Sequence, residues 1–278
     1  MSIDSALKIG TERVGRRDAV LLLVHLTGLS ESQIYMHKGS EIDDRTYLGY
    51  LLRREKGEPL QYIIGSWGFM GLDFITDRRA LIPRQETELL VEQAFEFIQE
   101  CAYAESGKPV RVMDLCTGSG CIAVSVALLA AEANVNVEIV AVDKSPRALE
   151  LAKYNAKSLG AEKRITFVES DLFNGVKFHG FHAIISNPPY IPTADIFALE
   201  PVVRDYEPHM ALDGGADGLD FYRKIAPLSL EFLHAGCGLF LEIGPLVVEN
   251  ILKSANFCDV KLIKDYAGLP RIVCGWKK

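Results

Sequence analysis

The sequence has no Cys-x-x-Cys pair, no Gly-Lys-Ser/Thr unit, no stripe of basic residues and no very long apolar run. Each absence excludes something. Cys101, Cys116, Cys121, Cys237, Cys258 and Cys274 read as reduced, mostly buried thiols of a cytosolic protein. The six histidines are not at ligand spacings either, so no metal site is expected. Ala19–Leu26 and Cys121–Ala131 are the longest apolar runs, short of the roughly 18 residues a spanning helix needs. No charged-then-apolar leader opens the chain, so a cytoplasmic protein with no membrane partner is expected. A net charge of −7 argues against holding long nucleic acid by bulk electrostatics. Residues 1–75 carry nine Lys and Arg against ten Asp and Glu, so they offer no duplex-binding face.

What is present is a globular chain of 278 residues, 49% hydrophobic and 24% charged, large enough for two unequal domains. Three segments are expected: a helical part over 1–66, a hairpin linker over 67–84 and an α/β domain over 85–278. In the first, Asp18 is positioned to cap a helix stopping near Gly28, Ser30 and Gln33 form a capping-box pattern, and Asp43 or Asp44 opens a helix ended by Gly57. Tyr62-Ile63-Ile64 and Leu72–Ile75 read as two short strands of a hairpin. Pro83 with Glu86 and Glu88 suits a helix start continuing through Leu89–Ile98.

From Val110 strands alternate with helices. Val110–Leu115, Val137–Val142, Ile165–Val168, Phe181–Ile185 and Gly238–Ile243 read as strands, with a closing hairpin from Val260–Ile263 and Pro270–Cys274. Ser145 with Pro146 opens the helix that Gly160 closes. The pattern predicts an α/β fold with a Rossmann-like, mostly parallel sheet of seven strands, covered on both faces.

The chemistry gathers at strand ends. Cys116-Thr117-Gly118-Ser119-Gly120 is a glycine turn, but it lacks the lysine of a P-loop and the third glycine of a dinucleotide fold. Asp114-x-x-x-Gly118-x-Gly120 is instead the spacing of an S-adenosylmethionine turn. Asp114 is positioned for the cofactor's ammonium, Asp143 for its ribose hydroxyls, and Asp171 with the Leu172 backbone for its adenine. At the fourth strand's end stands Asn187-Pro188-Pro189-Tyr190. The prolines stop the strand and hold Asn187 extended. The Asn187 side-chain carbonyl and the Pro188 backbone carbonyl can accept the hydrogens of a planar nitrogen, with Tyr190 packed on its plane, so catalysis would work by positioning. Asn-Pro-Pro alone also suits a plain turn; four features in the right order favour function.

Around these units the chain resembles the HemK/PrmC family, protein-(glutamine-N5) methyltransferases acting on peptide chain release factors. The residues that carry the resemblance are Gly57–Gly65, Leu81–Arg84 with Glu86-Thr87-Glu88, Asp114–Gly120, Ser186–Pro192, Glu207-Pro208 with Ala211-Leu212, Gly214-Gly215 with Asp217-Gly218, Leu241–Gly244, and Asp265–Gly268 before Arg271. The resemblance implies a class I methyltransferase domain behind a helical substrate-docking domain. It also implies methylation of the glutamine in the Gly-Gly-Gln loop of release factors, with S-adenosylhomocysteine as by-product. Asn187 and Pro188 would orient the amide; Pro189 and Tyr190 would wall the pocket. The chain departs from the pattern at Cys116, where glycine is frequent, and at Leu172, where some relatives carry an aromatic. A monomer with no stable nucleic acid partner is expected. The competing readings are an adenine-N6 methyltransferase, which shares Asn-Pro-Pro-Tyr, a glutamine methyltransferase of a ribosomal protein, and a non-catalytic cofactor-binding protein.

Overall fold

The structure is a computed structural model and describes residues 1–104, 107–245 and 247–278. Contacts divide it into two units, Met1–Trp67 with Glu200–Tyr206, and Gly68–Leu199 with Glu207–Lys278.

The first unit is helical: α1 (Ile3–Val14), α2 (Arg16–Thr27), α3 (Glu31–Met36), α4 (Asp44–Glu55) and α5 (Leu60–Ile64). The Ser30–Gln33 capping box forms at α3, and Asp43 accepts the Arg45 and Thr46 N–H groups at the start of α4. Asp18 is not the cap of α2. The helix starts earlier, at Arg16 after Gly15, and Asp18 accepts from Arg54 Nε at 2.6 Å. Tyr62-Ile63-Ile64 is not a strand but the body of α5, which follows Pro59 and ends at Gly65. Burial overrides β-propensity here. Leu60 and Ile63 join the fully buried Leu22, Leu23, Ile34, Tyr47 and Leu51 in one core. Glu200–Tyr206 returns to this unit, and the Tyr206 hydroxyl donates to the Lys56 carbonyl at 2.8 Å.

The division falls inside β1 (Ser66–Phe69), which forms a hairpin with β2 (Leu72–Ile75). There follow α6 (Glu86–Ala104), β3 (Val110–Leu115), α7 (Cys121–Glu132), β4 (Val137–Asp143), α8 (Pro146–Ser158), β5 (Ile165–Glu169) and β6 (Phe181–Ser186). After α9 (Pro201–Arg204), in the first unit, come α10 (Asp220–Phe232), β7 (Leu233–Glu242), α11 (Glu249–Ser254), β8 (Cys258–Lys264) and β9 (Pro270–Trp276). The seven-stranded sheet has the order β5-β4-β3-β6-β7-β9-β8. Strands β3 to β7 pair in parallel, and β9 runs antiparallel to both neighbours.

Successive residues of a strand face opposite sides, and the two cores follow that rule. Val112, Ile139 and Ile185 pack with Leu90 of α6 and Val126 of α7. Met113, Val140 and Ile184 pack with Tyr222 and Ile225 of α10. Every residue of β6 is buried, as expected of a central parallel strand. The strand order reverses between β3 and β6, and in such sheets ligands bind beyond the carboxyl ends of those strands.

Candidate active site

A cleft of about 340 Å³ opens beyond the ends of β3, β4 and β6, within the usual range for small-molecule sites. Cys116, Thr117, Gly118, Ser119, Asp143, Asp171, Leu172, Asn187 and Pro189 line it. Asp114, Gly120, Pro188 and Tyr190 are not among its lining residues.

Asp114 is fully buried at the end of β3. Its Oδ2 accepts from the Thr117 hydroxyl and from the Ala123 N–H, so it ties the turn to the start of α7. Its Oδ1 is buried and has no hydrogen-bond partner among the described residues. Burial pushes its carboxyl up to about 7. Asp143 braces the turn from the other side. Its Oδ2 accepts the Gly118 N–H at 2.9 Å and its Oδ1 the Ser145 N–H at 2.8 Å, while burial raises its pKa. Asn155 of α8 adds a third brace, donating to the Ser119 carbonyl at 2.9 Å.

Cys116 and Leu172 both have positive φ, 62° and 52°, without being glycine. Such strain persists only where the surroundings hold it, often at ligand sites. The Cys116 thiol and that of Cys121, which also lines the cleft, are both pushed up by burial, Cys121 to about 12. Both stay protonated, which leaves no thiolate nucleophile there. Asp171 is half exposed and takes Lys144 Nζ at 2.9 Å.

Asn187 follows β6, whose last residue, Ser186, donates its hydroxyl to the Leu115 carbonyl at 2.6 Å. The Asn187 Nδ2 donates to Thr87 Oγ1 at 3.2 Å, and the Thr87 hydroxyl donates to Glu242 Oε2 at 2.6 Å. Burial raises the Tyr190 phenol to about 12. Arg84 lies on the cleft wall, ion-paired with the buried Glu207, which also accepts the Ile82 N–H at 3.1 Å. Glu88 turns to the hairpin and accepts the Met70 N–H at 2.7 Å; Glu86 is exposed. Thr87, Glu242, Glu207 and Asn155 had no site role on sequence grounds. Their one sequence signal is that the first three fall inside the segments that carry the family resemblance.

The strand order, the reversed β9 and the glycine turn at the switch point define a class I methyltransferase fold. Solved structures agree. A Pyrococcus furiosus methyltransferase superposes with TM-score 0.51 at 18% identity over 76% of this chain and 91% of that one. A T. thermophilus 16S rRNA methyltransferase, solved with AdoMet and guanosine, gives 0.52 at 17% identity over 77% of this chain and 50% of that one. The methyltransferase small domain family model matches residues 91–205, and the PrmC N-terminal domain model matches 8–65. The release factor glutamine methyltransferase of Geobacter sulfurreducens is 45% identical over 82% of this chain and 76% of its own. That of Clostridium acetobutylicum is 36% identical over 97% of this chain and 94% of its own. The chain belongs to the release factor glutamine methyltransferase family.

Proposed function

We propose that this chain transfers a methyl group from S-adenosylmethionine to the side-chain amide nitrogen of the glutamine in the Gly-Gly-Gln motif of a peptide chain release factor. The observation that carries the reading is at Asn187. Its Nδ2 is engaged by Thr87, which leaves Oδ1 as an acceptor at the cleft. With the Pro188 carbonyl it can hold the two hydrogens of a primary amide and aim the nitrogen.

Two features suit the cofactor. Gly118 lines the cleft, and a Cβ on it would meet Ala80 Cβ at 3.9 Å, in ordinary contact and without a clash. Asp114 Oδ1 is an unpartnered acceptor beneath it, suited to an ammonium group directly or through water. Asp143 and Asp171 would serve the ribose and the adenine. S-adenosylmethionine supplies a methyl group on a positively charged sulfur. The chain's own residues orient the acceptor. Asn187 and Pro188 fix the amide plane, and Pro189 and Tyr190 wall it. The nitrogen forms the new N–C bond as the C–S bond breaks toward sulfur, and one amide hydrogen leaves as a proton to solvent. The products are N5-methylglutamine and S-adenosylhomocysteine. An amide nitrogen is a poor nucleophile, so the rate comes from alignment. The helical unit, matched by the PrmC N-terminal model, takes the task of docking the release factor, and the chain acts as a cytoplasmic monomer without stable nucleic acid.

The test is methyl transfer from labelled S-adenosylmethionine to a release factor, to its Gly-Gly-Ala mutant, to ribosomal protein and to DNA in parallel. Label on the wild-type factor alone is expected. Label on DNA alone would mean that the pocket reads adenine.

A further inference from the structure

Glu242 ends β7 with only 2% of its surface exposed. A buried carboxyl is costly unless it is hydrogen-bonded. Its bonded side chain is Thr87, also buried, in the first turn of α6. Thr87 in turn meets Asn187. Three side chains from β7, α6 and the segment after β6 thus form one line ending at the substrate-facing amide.

An asparagine side chain has nearly the same shape either way round, so hydrogen bonds decide which end faces the cleft. An ionised Glu242 can only accept. The Thr87 hydrogen then goes to Glu242, the Thr87 oxygen accepts from Asn187 Nδ2, and Oδ1 faces the substrate. A protonated Glu242 can donate to Thr87 instead. That frees the Thr87 hydrogen for Asn187 Oδ1, and the amide can turn over. It would then offer N–H groups to a nitrogen that itself has only N–H groups to give.

We infer that Glu242 is a positioning residue which, acting through Thr87 and in its ionised form, sets the orientation of the Asn187 amide. The inference rests on the methyl-transfer reading above. Several groups face the carboxyl. Arg271 of β9, Arg84 and the Thr87 hydroxyl favour the ionised form, while Glu86 and burial oppose it. Tyr190, Tyr222 and Cys121 stand nearby as neutral groups, their pKa values raised by burial. Burial is the largest effect and raises the carboxyl to about 7. The working form is therefore lost as pH falls through that value.

The test uses the full chain with Thr87→Val, Thr87→Ser and Glu242→Gln. Thr87→Val is expected to lower kcat about tenfold or more, the scale of one lost orienting hydrogen bond. The KM for release factor and the calorimetric affinity for cofactor should stay within about twofold of wild type. Thr87→Ser should restore kcat. Glu242→Gln should lower kcat and remove the acid limb of the rate profile near 7. A substrate-free readout is the ¹⁵N side-chain resonance of Asn187. It should titrate with Glu242 in the wild type and stay flat in Glu242→Gln. Wild-type kcat in Thr87→Val, or an Asn187 resonance that never titrates, overturns the inference. A titrating resonance in a chain inactive on every release factor would uphold it and sink the methyl-transfer reading instead. Should Glu242→Gln fail to fold, the Thr87 pair and the wild-type resonance decide.

Discussion

The ring of Tyr190 fills the space that a side chain on Gly244 would need: a Cβ there would stand 2.8 Å from Cδ2 and 2.9 Å from Cε2. Gly244 follows β7, two residues beyond Glu242, so this strand end supports both Tyr190 and Asn187. Gly244→Ala must displace the ring, since real Cβ atoms do not approach so closely. The expected result is a loss of kcat of about tenfold or more with a melting temperature within a few degrees of wild type. Tyr190→Phe keeps the ring and should retain most of the rate. A fully active Gly244→Ala enzyme would show that the ring position does not matter.

The two glycines of the turn should separate stability from binding. Gly120 has φ 81°, and a Cβ on it would lie 3.0 Å from Ala152 Cβ and 3.1 Å from its Cα. Gly120→Ala combines left-handed strain with overpacking, together about 2–4 kcal/mol of lost stability. Gly118, at φ 57°, lines the cleft, and a Cβ there would meet no atom closer than 3.9 Å. Gly118→Ala should cost only about 1–2 kcal/mol and should weaken cofactor binding more than stability. Urea unfolding and calorimetric titration of both variants measure the contrast.

Much of this sheet was legible because its strands carry local signals. Phe181–Ser186 is buried at every residue, and its Phe181–Ile185 part, apolar apart from His182, reads as a short strand shortly before two prolines. Ser145 and Pro146 announce α8 in two letters, and the Ser145 hydroxyl does accept the Ala148 N–H. Tyr62-Ile63-Ile64 misled for the opposite reason: its β-branched residues suit a strand, but five residues between Pro59 and Gly65 pack better as one helical turn. The site divides the same way. Acids and glycines at strand ends stand in a fixed spacing and can be found. Thr87 and Glu242 are 155 positions apart, and Arg84 and Glu207 are 123 apart. No local pattern pairs such residues; only the closing of the sheet and the docking of α6 bring them together.

Cys116 tests how much strain the turn carries. Its φ of 62° suits glycine. Cys116→Gly relieves about 1–2 kcal/mol of left-handed strain but adds about 0.5–1 kcal/mol of freedom to the unfolded chain. Its stability should therefore lie within about 1 kcal/mol of wild type, on either side. A β-branched residue tolerates that region least, so Cys116→Val should lose about 2 kcal/mol or more. Equal stability of the two variants would mean that the turn relaxes when its residue changes.

Asp114 makes stability depend on pH in a direction that can be worked out. Its carboxyl titrates near 4 when unfolded, about the ordinary value, and at about 7 in the fold. Between those values the folded chain keeps a proton that the unfolded chain has lost. The contribution is therefore full below about 4, falls as pH rises, and is gone above about 7. The acids held low act in a different window. Arg223 holds Asp217 down at about 2, and Asp77, Asp213 and Asp265 are also lowered. They lose stabilisation only as pH falls below the ordinary carboxyl range, so they do not blur the effect. Glu242, raised to about 7, adds to the slope with the same sign. Asp114→Asn keeps an acceptor for Thr117 and Ala123 but cannot ionise. Its melting temperature relative to wild type should climb between about pH 4 and 7, the window set by the two values, and level off above it, while its affinity for a cationic cofactor drops. Parallel melting curves for the two proteins across that range would mean that the folded Asp114 ionises as freely as the unfolded one. Its orphan oxygen would then have to be solvated, against the full burial seen at the end of β3.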